Sequence, residues 1–500
     1  MSEVAPGAQG EGANSRGLVL RNAMFLIVGQ VVATPLSILI NAVMGRYLGP
    51  ADFGYLYLVG TFLSFAFLFV QWGQNGTLPT FIARDRSRAG AVLGSALSWR
   101  LGFAPIVYGI LAALCALLGY SRDLQLALAI AFIGTVIATA SSTCQDVVRG
   151  FERTDVAAIS QVASSLLGAL IVVPVLLLGG RLNSVLVAQA FAGLIVLAII
   201  ARALRGIGVT RLSVDREILK SLLRDGTAFL VFGVTMVLQP SIDAAFLSRL
   251  GSAESVGWQA AASKLIGVLL MPASALVTAL YPTLSRLFGS DKRAFEQTTT
   301  DALRTAIILA VPLAVGCALY PDLGVQIFSR KAFGPARENL RLLAPYLFLV
   351  YLSMPLGVSL AACGRTKIWA GAQALCLVVS AVLDPLLVPR FQAWRGNGGL
   401  GICISTCTSE VLMVAAAVAL SPRGFWTRSV WKTSGSAALA GLAMAGTAYL
   451  TSGITAFVGA PLAALGYLVC LWATGGLGSD QLATIKSIVS RKARRRAPAV

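Results

Sequence analysis

Histidine is absent from all 500 residues. That removes imidazole acid–base chemistry, Ser-His-Asp triads and histidine-bearing zinc sites at once. No GxxxxGK[ST] stretch occurs, so the chain carries no Walker loop for nucleotide phosphates. DxD and CxxC are also missing. The eight cysteines lie almost entirely within apolar runs, Cys115, Cys376 and Cys470 among them, and Cys403 with Cys407 forms an i,i+4 pair. They read as small apolar packing residues. The sequence thus predicts no enzyme: no catalytic residue, no metal and no cofactor. Charge is the other scarcity. Asp, Glu, Lys and Arg make up 12% of the chain, about half the roughly 25% that soluble domains use to face water.

Apolar residues are abundant. They account for 57% of the sequence, and mean hydropathy is +0.79. A solvent other than water is implied, and the fitting one is lipid, where a spanning helix takes about 20 residues. Hydropathy divides the chain into fourteen segments at 18–45, 53–76, 89–118, 123–148, 157–179, 184–204, 227–249, 256–284, 301–328, 339–363, 367–389, 399–421, 431–452 and 456–477. The expected fold class is all-α, a polytopic membrane protein of about fourteen transmembrane helices. Pro35, Pro105, Pro174, Pro240, Pro272, Pro312 and Pro355 fall inside spans, which predicts kinks.

Lysine and arginine give the orientation. With the N-terminus inside, 28 of the 40 lie on the cytoplasmic side, 10 on the opposite side, and Arg100 and Lys264 within spans. Both termini are therefore expected in the cytoplasm. The net charge of +19 and pI near 10.1 then report topology, not a nucleic-acid footprint. One loop breaks the bias: 330–341 places Arg330, Lys331, Arg337 and Arg341 on the outer face.

An internal repeat is visible. NAVMGRYLGPADFGYL (41–56) aligns with DAAFLSRLGSAESVGW (243–258), with Leu48-Gly49 on Leu250-Gly251 and, after one inserted residue, Gly54 on Gly257. The offset of 202 residues covers six spans, an even number, so the halves run parallel about an axis normal to the membrane. This predicts a disordered tail at 1–17, an N-terminal six-helix lobe at 18–205 and a cytoplasmic linker at 206–226. A second six-helix lobe follows at 227–421, then two additional helices at 422–477 and a basic tail at 478–500. Such lobes place a substrate path between them, which reads as a two-lobed secondary transporter.

A charge at the centre of a span costs about 2.5–3.5 kcal/mol on insertion scales, so each one needs a reason. Arg100 has no evident acidic partner and is expected to line a cavity. Asp243 and Lys264 read equally as a helix-locking ion pair or as transport groups. Glu410 reads equally as a proton-coupling carboxylate or as one bonded to Ser409 or Thr406. In the first span Gln30, Thr34, Ser37 and Asn41 share one helical face. The repeat maps Ser37 and Asn41 onto Gln239 and Asp243, a pair of polar faces that suits a common cavity. Gln71, Gln74 and Asn75 form a further cluster toward the inner side.

GRYLGPADFGYL (45–56), TFIARDRSR (80–88) and YPTLSRLF (281–288) resemble the polysaccharide-transporter branch of the multidrug/oligosaccharidyl-lipid/polysaccharide exporter superfamily, across residues 18 to 477. The resemblance implies a two-lobed bundle that moves a polyprenyl-diphosphate-linked oligosaccharide, an O-antigen or exopolysaccharide repeat unit, to the outer leaflet by alternating access. Its implied partners are that lipid-linked substrate, membrane lipids and polysaccharide polymerase or assembly proteins, with no nucleic acid. The alternative within the superfamily is a cation-coupled multidrug exporter. That reading favours carboxylates over arginine in the cavity, and here they are few.

Overall fold

The computed structural model describes residues 8–329 and 331–476, and every regular element among them is helical. The chain begins with seven helices: α1 (Ala8–Gln71), α2 (Gln74–Arg84), α3 (Ala89–Leu117), α4 (Arg122–Gly150), α5 (Thr154–Leu177), α6 (Leu182–Gly206) and α7 (Arg216–Leu250). They are followed by α8 (Ala253–Leu269), α9 (Met271–Phe288), α10 (Lys292–Leu319), α11 (Pro321–Phe328), α12 (Ala336–Ala362), α13 (Thr366–Arg395), α14 (Gly399–Leu420), α15 (Arg428–Leu450) and α16 (Ala456–Ala473). Each of the fourteen apolar segments falls mainly on helix. Among the described residues ten helical stretches are long and apolar enough to cross a membrane, or eleven with the bent pair α8–α9. The stretch Ala33–Arg84 spans 52 residues, enough for two crossings at about 20 residues each.

Where the chain departs from single straight spans, proline or glycine is present. α1 breaks at Gly49 (φ 76°, ψ 175°), and Pro50 starts the next turn without needing an amide partner. The expected span 53–76 stops at Gln71, turns through Trp72 and Gly73, and resumes as α2. The expected span 256–284 is two helices bent by 46° before Pro272. The expected span 301–328 ends at Leu319, and Pro321 opens the short α11. The tail expected at 1–17 is corrected in part: helix starts at Ala8, because propagating an existing helix is much easier than nucleating one. Residues 1–7 and the basic tail 478–500 lie outside the described residues.

By internal contacts the chain forms two compact units. The first is Met1–Ala261 with Ile327–Phe333 and Gln392–Gly398, and the second holds the remaining segments from Ala262 on. The linker expected at 206–226 lies inside the first unit rather than at its edge. In the first unit α1 packs on α3, α5 and α7, and α4 packs on α6. Leu58, Leu63, Phe67 and Val70 of α1 meet Ala104 of α3 and Ala127 and Leu128 of α4 in a buried cluster. The strap after α6 crosses α3 where Gly90 and Gly94 leave room for the carbonyls of Arg211 and Ser213. Ser95 there bonds both backbone groups of Asp215. In the second unit α12 packs on α9, α10 and α14, and α15 pairs with α16 over Ala440, Met444, Ala463 and Tyr467. Small residues at these seams let backbones approach, which is how helices associate when lipid is the solvent. The outward faces stay apolar: Leu117, Leu178, Tyr449 and Leu450 are all more than 80% exposed. Water would not tolerate so much exposed hydrocarbon on one monomer.

The 330–341 exception is partly resolved. Phe328 and Phe333 dock their rings on Phe53 at 5.6 and 5.9 Å, and Arg46 Nε donates to the Phe328 carbonyl at 3.1 Å. In the second unit Arg337 pairs with Asp322 at 2.7 Å. Lys331 and Arg341 remain exposed, and Arg330 lies outside the described residues.

Candidate functional site

Arg100 sits on α3 with 1% of its surface exposed. Each of its three guanidinium nitrogens donates one hydrogen bond. Nε donates to Gln74 Oε1 at 3.0 Å, Nη1 to Thr143 Oγ1 at 2.6 Å and Nη2 to Asn75 Oδ1 at 2.7 Å. All three acceptors are neutral, and among the described residues no carboxylate forms an ion pair with it within 4.0 Å. The expectation that Arg100 lines an open cavity is therefore corrected for this conformation. A buried cation is stable only with its donors satisfied, and the polar cluster of residues 71–75 satisfies two of them.

The break in the second span positions that cluster. Trp72 (φ 46°) and Gly73 (φ 65°) both adopt left-handed backbone, a conformation that a bulky residue enters only under constraint. Neighbours supply the constraint. A Cβ on Gly73 would lie 2.1 Å from the Gly226 carbonyl, and one on Gly226 would lie 2.3 Å from the Trp72 carbonyl, so the break and α7 touch through backbone. Trp99, beside Arg100, donates to the Val70 carbonyl at 3.1 Å, stacks on Phe103 and meets Trp72 edge-on. Asn75 Nδ2 reaches back over the break to Gln71 Oε1 at 2.8 Å. Past the break, Leu78 and Ile82 are completely buried against α3 and α4. Beyond α2, hydrogen bonds from Ser87 hold the Asp85 carboxyl below the usual carboxylate range.

Thr143 was not legible as a site residue. Its signal was the polar run 139–146 on an otherwise apolar α4, where Thr143 also donates to the Thr139 carbonyl. One turn on, Asp146 is buried, with Oδ1 3.5 Å from Arg149 Nη1 and Oδ2 without a hydrogen-bond partner among the described residues.

In the second unit Glu410 of α14 accepts a hydrogen bond from Ser353 of α12. The sequence reading offered Ser409 or Thr406 as its partner, and this is a correction: Ser409 donates instead to the Cys376 carbonyl at 3.3 Å. Ser353 carries no periodicity that would have marked it. Lys264 makes no ion pair within 4.0 Å among the described residues; it lies in the second unit, and Asp243 in the first. Of the polar face on the first span, Thr34 is half-buried, Ser37 is exposed, and half-buried Asn41 donates to the Ser37 carbonyl at 2.8 Å. The side chain of Gln30 lies outside the described residues. Gln239 and Asp243 on α7 are half-buried.

The two stretches aligned in the repeat meet within the first unit. A Cβ on Gly54 would lie 2.5 Å from the Ala253 carbonyl and 2.8 Å from the Gly257 amide nitrogen. One on Gly257 would lie 1.9 Å from the Pro50 carbonyl. The glycines paired by sequence alignment are thus packed backbone to backbone.

No curated protein matches the chain. Among solved structures it shares its fold with a lipid II flippase, MurJ, in an inward closed conformation. The TM-score is 0.68 at 14% identity, over 89% of this chain and 98% of that one. Two multidrug resistance MATE family transporters of the MOP superfamily also share it. The inward-facing one gives a TM-score of 0.60 at 16% identity over 80% of this chain and 96% of the other. The outward-facing one gives 0.54 at 17% over 81% and 93%. A MatE family model matches residues 230–386, and one described as polysaccharide biosynthesis protein matches 19–288, more than half the chain. Buried polar groups inside apolar helices, a shared exporter fold and that family match lead to one conclusion: this multi-pass membrane protein is a transporter of the polysaccharide biosynthesis protein family, within the multidrug/oligosaccharidyl-lipid/polysaccharide exporter superfamily.

Proposed function

We propose that the protein flips a polyprenyl-diphosphate-linked oligosaccharide, an O-antigen or exopolysaccharide repeat unit, from the cytoplasmic to the outer leaflet of the bacterial inner membrane. Arg100 carries this reading. Arginine keeps its charge at any physiological pH, and here its three hydrogen-bond acceptors are all neutral oxygens, the buried Asp146 acting on it through space without a hydrogen bond. A diphosphate brings negative charge in paired oxygens that fit the guanidinium fork. The family match and the fold shared with a lipid II flippase support a lipid-linked cargo of this kind. The Lys and Arg distribution supports cytoplasmic termini, and the outer leaflet is where a polymerase or other assembly proteins would meet the product. Gln30, Thr34, Ser37, Asn41, Gln239 and Asp243 serve as the polar path for the sugar, with Lys264 as a further cation. Glu410 serves as the coupling carboxylate. The test is transport of a fluorescent lipid-linked glycan in proteoliposomes: Arg100→Ala loses it at wild-type protein levels, and normal transport by that variant overturns the reading.

A second reading, a cation-coupled multidrug exporter, is favoured by the MatE match over 230–386 and by Glu410 within its apolar helix. Gradient-driven efflux of a cationic dye that Arg100→Ala leaves intact and Glu410→Gln stops would decide for it.

A further inference from the structure

The bonds of Arg100 do more than satisfy a buried charge, because two of its three partners are the first two residues of α2. We propose that Arg100 closes a latch on the broken second span, and that an anionic diphosphate group opens it by taking the guanidinium from Asn75 and Thr143. The proposal rests on the reading of an anionic lipid-linked cargo and adds how such a cargo changes the protein.

Three features of the site carry it. The first is the chemistry of the acceptors. Two amide oxygens and a hydroxyl hold the guanidinium, and the buried Asp146 acts on it only through space, so a phosphate oxygen competes with the same hydrogen-bond geometry plus Coulomb attraction at contact distance. The second is Gln74. Its side chain is wholly buried, and Nε2 has no hydrogen-bond partner among the described residues. Flipping the amide would not help, since that would turn its donor toward Arg100 Nε. Arg100 and Gln74 therefore present donors of an anion site already side by side, and a phosphate oxygen is the acceptor that both can use. The third is the mechanics of the break. The left-handed Trp72 and Gly73 interrupt the helical ladder, while Leu78 and Ile82 pin the later turns of α2 to α3 and α4. Release of Asn75 thus frees the start of α2 at the break and leaves its far end as the pivot. Gly73 and Gly226, in backbone contact, are the first point to part when that end moves.

Hydrogen exchange read by mass spectrometry on the full chain in nanodiscs tests this, with farnesyl diphosphate as the probe and farnesol as the uncharged control. Farnesyl diphosphate should speed exchange of the amides from 73 to 77 by tenfold or more, and farnesol should leave them unchanged. In Arg100→Gln those amides should exchange at the fast rate without any probe and no longer respond. Thr143→Val, which keeps the shape of the site, should raise their basal exchange two- to fivefold. Saturable binding of farnesyl diphosphate with unaltered exchange at 73–77 overturns the latch and leaves the cargo reading standing, as does wild-type exchange in Arg100→Gln. Absence of saturable binding overturns the anionic cargo itself, and the latch with it.

Discussion

Replacing Arg100 with methionine keeps a long flexible side chain in place and removes the charge and all three donors. Hydrogen bonds to a charged group contribute about 1.5–3 kcal/mol each, so the three bonds to Gln74, Thr143 and Asn75 total roughly 4.5–9 kcal/mol before any offset. Two terms reduce this. Methionine escapes the desolvation of a buried cation, which amounts to several kcal/mol. Two of the abandoned partners also keep another bond, Thr143 to the Thr139 carbonyl and Asn75 to Gln71. A net loss of about 3 kcal/mol follows, in line with other broken buried networks and roughly 150-fold in the unfolding equilibrium. Reversible unfolding in mixed detergent micelles, followed through the emission of Trp72 and Trp99, measures it. A double-mutant cycle with Thr143→Val isolates one bond, and a coupling of about 1 kcal/mol is expected for groups in direct contact. If Arg100→Met unfolds within 0.5 kcal/mol of the wild type (roughly the spread of neutral surface changes), the three contacts do not hold the break. The reasoning above then fails.

Glu410→Gln preserves an acceptor for Ser353 but cannot carry a proton. It should retain folded protein while lowering gradient-driven transport in vesicles at least tenfold, and unchanged transport removes Glu410 from coupling. Gly73→Ala places a methyl 2.1 Å from the Gly226 carbonyl at φ 65°. It should lower stability by about 1–3 kcal/mol, the usual range for overpacking, and a thermal shift assay in detergent reads the loss. A periplasm-active reporter inserted at Gly119 should be active and one inserted at Phe151 silent, and the reverse pattern would invert the assigned orientation.

The positions of the helices were legible because lipid-facing segments must be apolar around most of their circumference, and composition alone reveals that. What stayed hidden was where two segments stop being straight. Pro272 gave notice of the break beside it, whereas the turn at Trp72 depends on backbone contact with Gly226, more than 150 residues away. Arg100 stood out in the sequence as a charge without a partner, and Gln74 and Asn75 as a polar cluster without a purpose. Only the folded chain joins them, because a side chain that crosses between helices leaves no periodicity in either one. Ser353 escaped notice for the same reason.

The contact of Gly54 with the start of α8 around Gly257 has a consequence for how this chain can vary. Each glycine is the other's counterpart in the repeat, and each is refused a side chain by the partner's own backbone or its neighbour's. A collision between side chains is ordinarily repaired by a smaller residue across the contact. Here the opposing residue is already the smallest there is, and the remaining obstacle at Gly257 is the Pro50 carbonyl, which no substitution removes. Compensation is therefore closed off at both positions. The two halves of the chain are free to diverge almost everywhere else, but at this corner neither can add even a methyl group unless the backbones move apart.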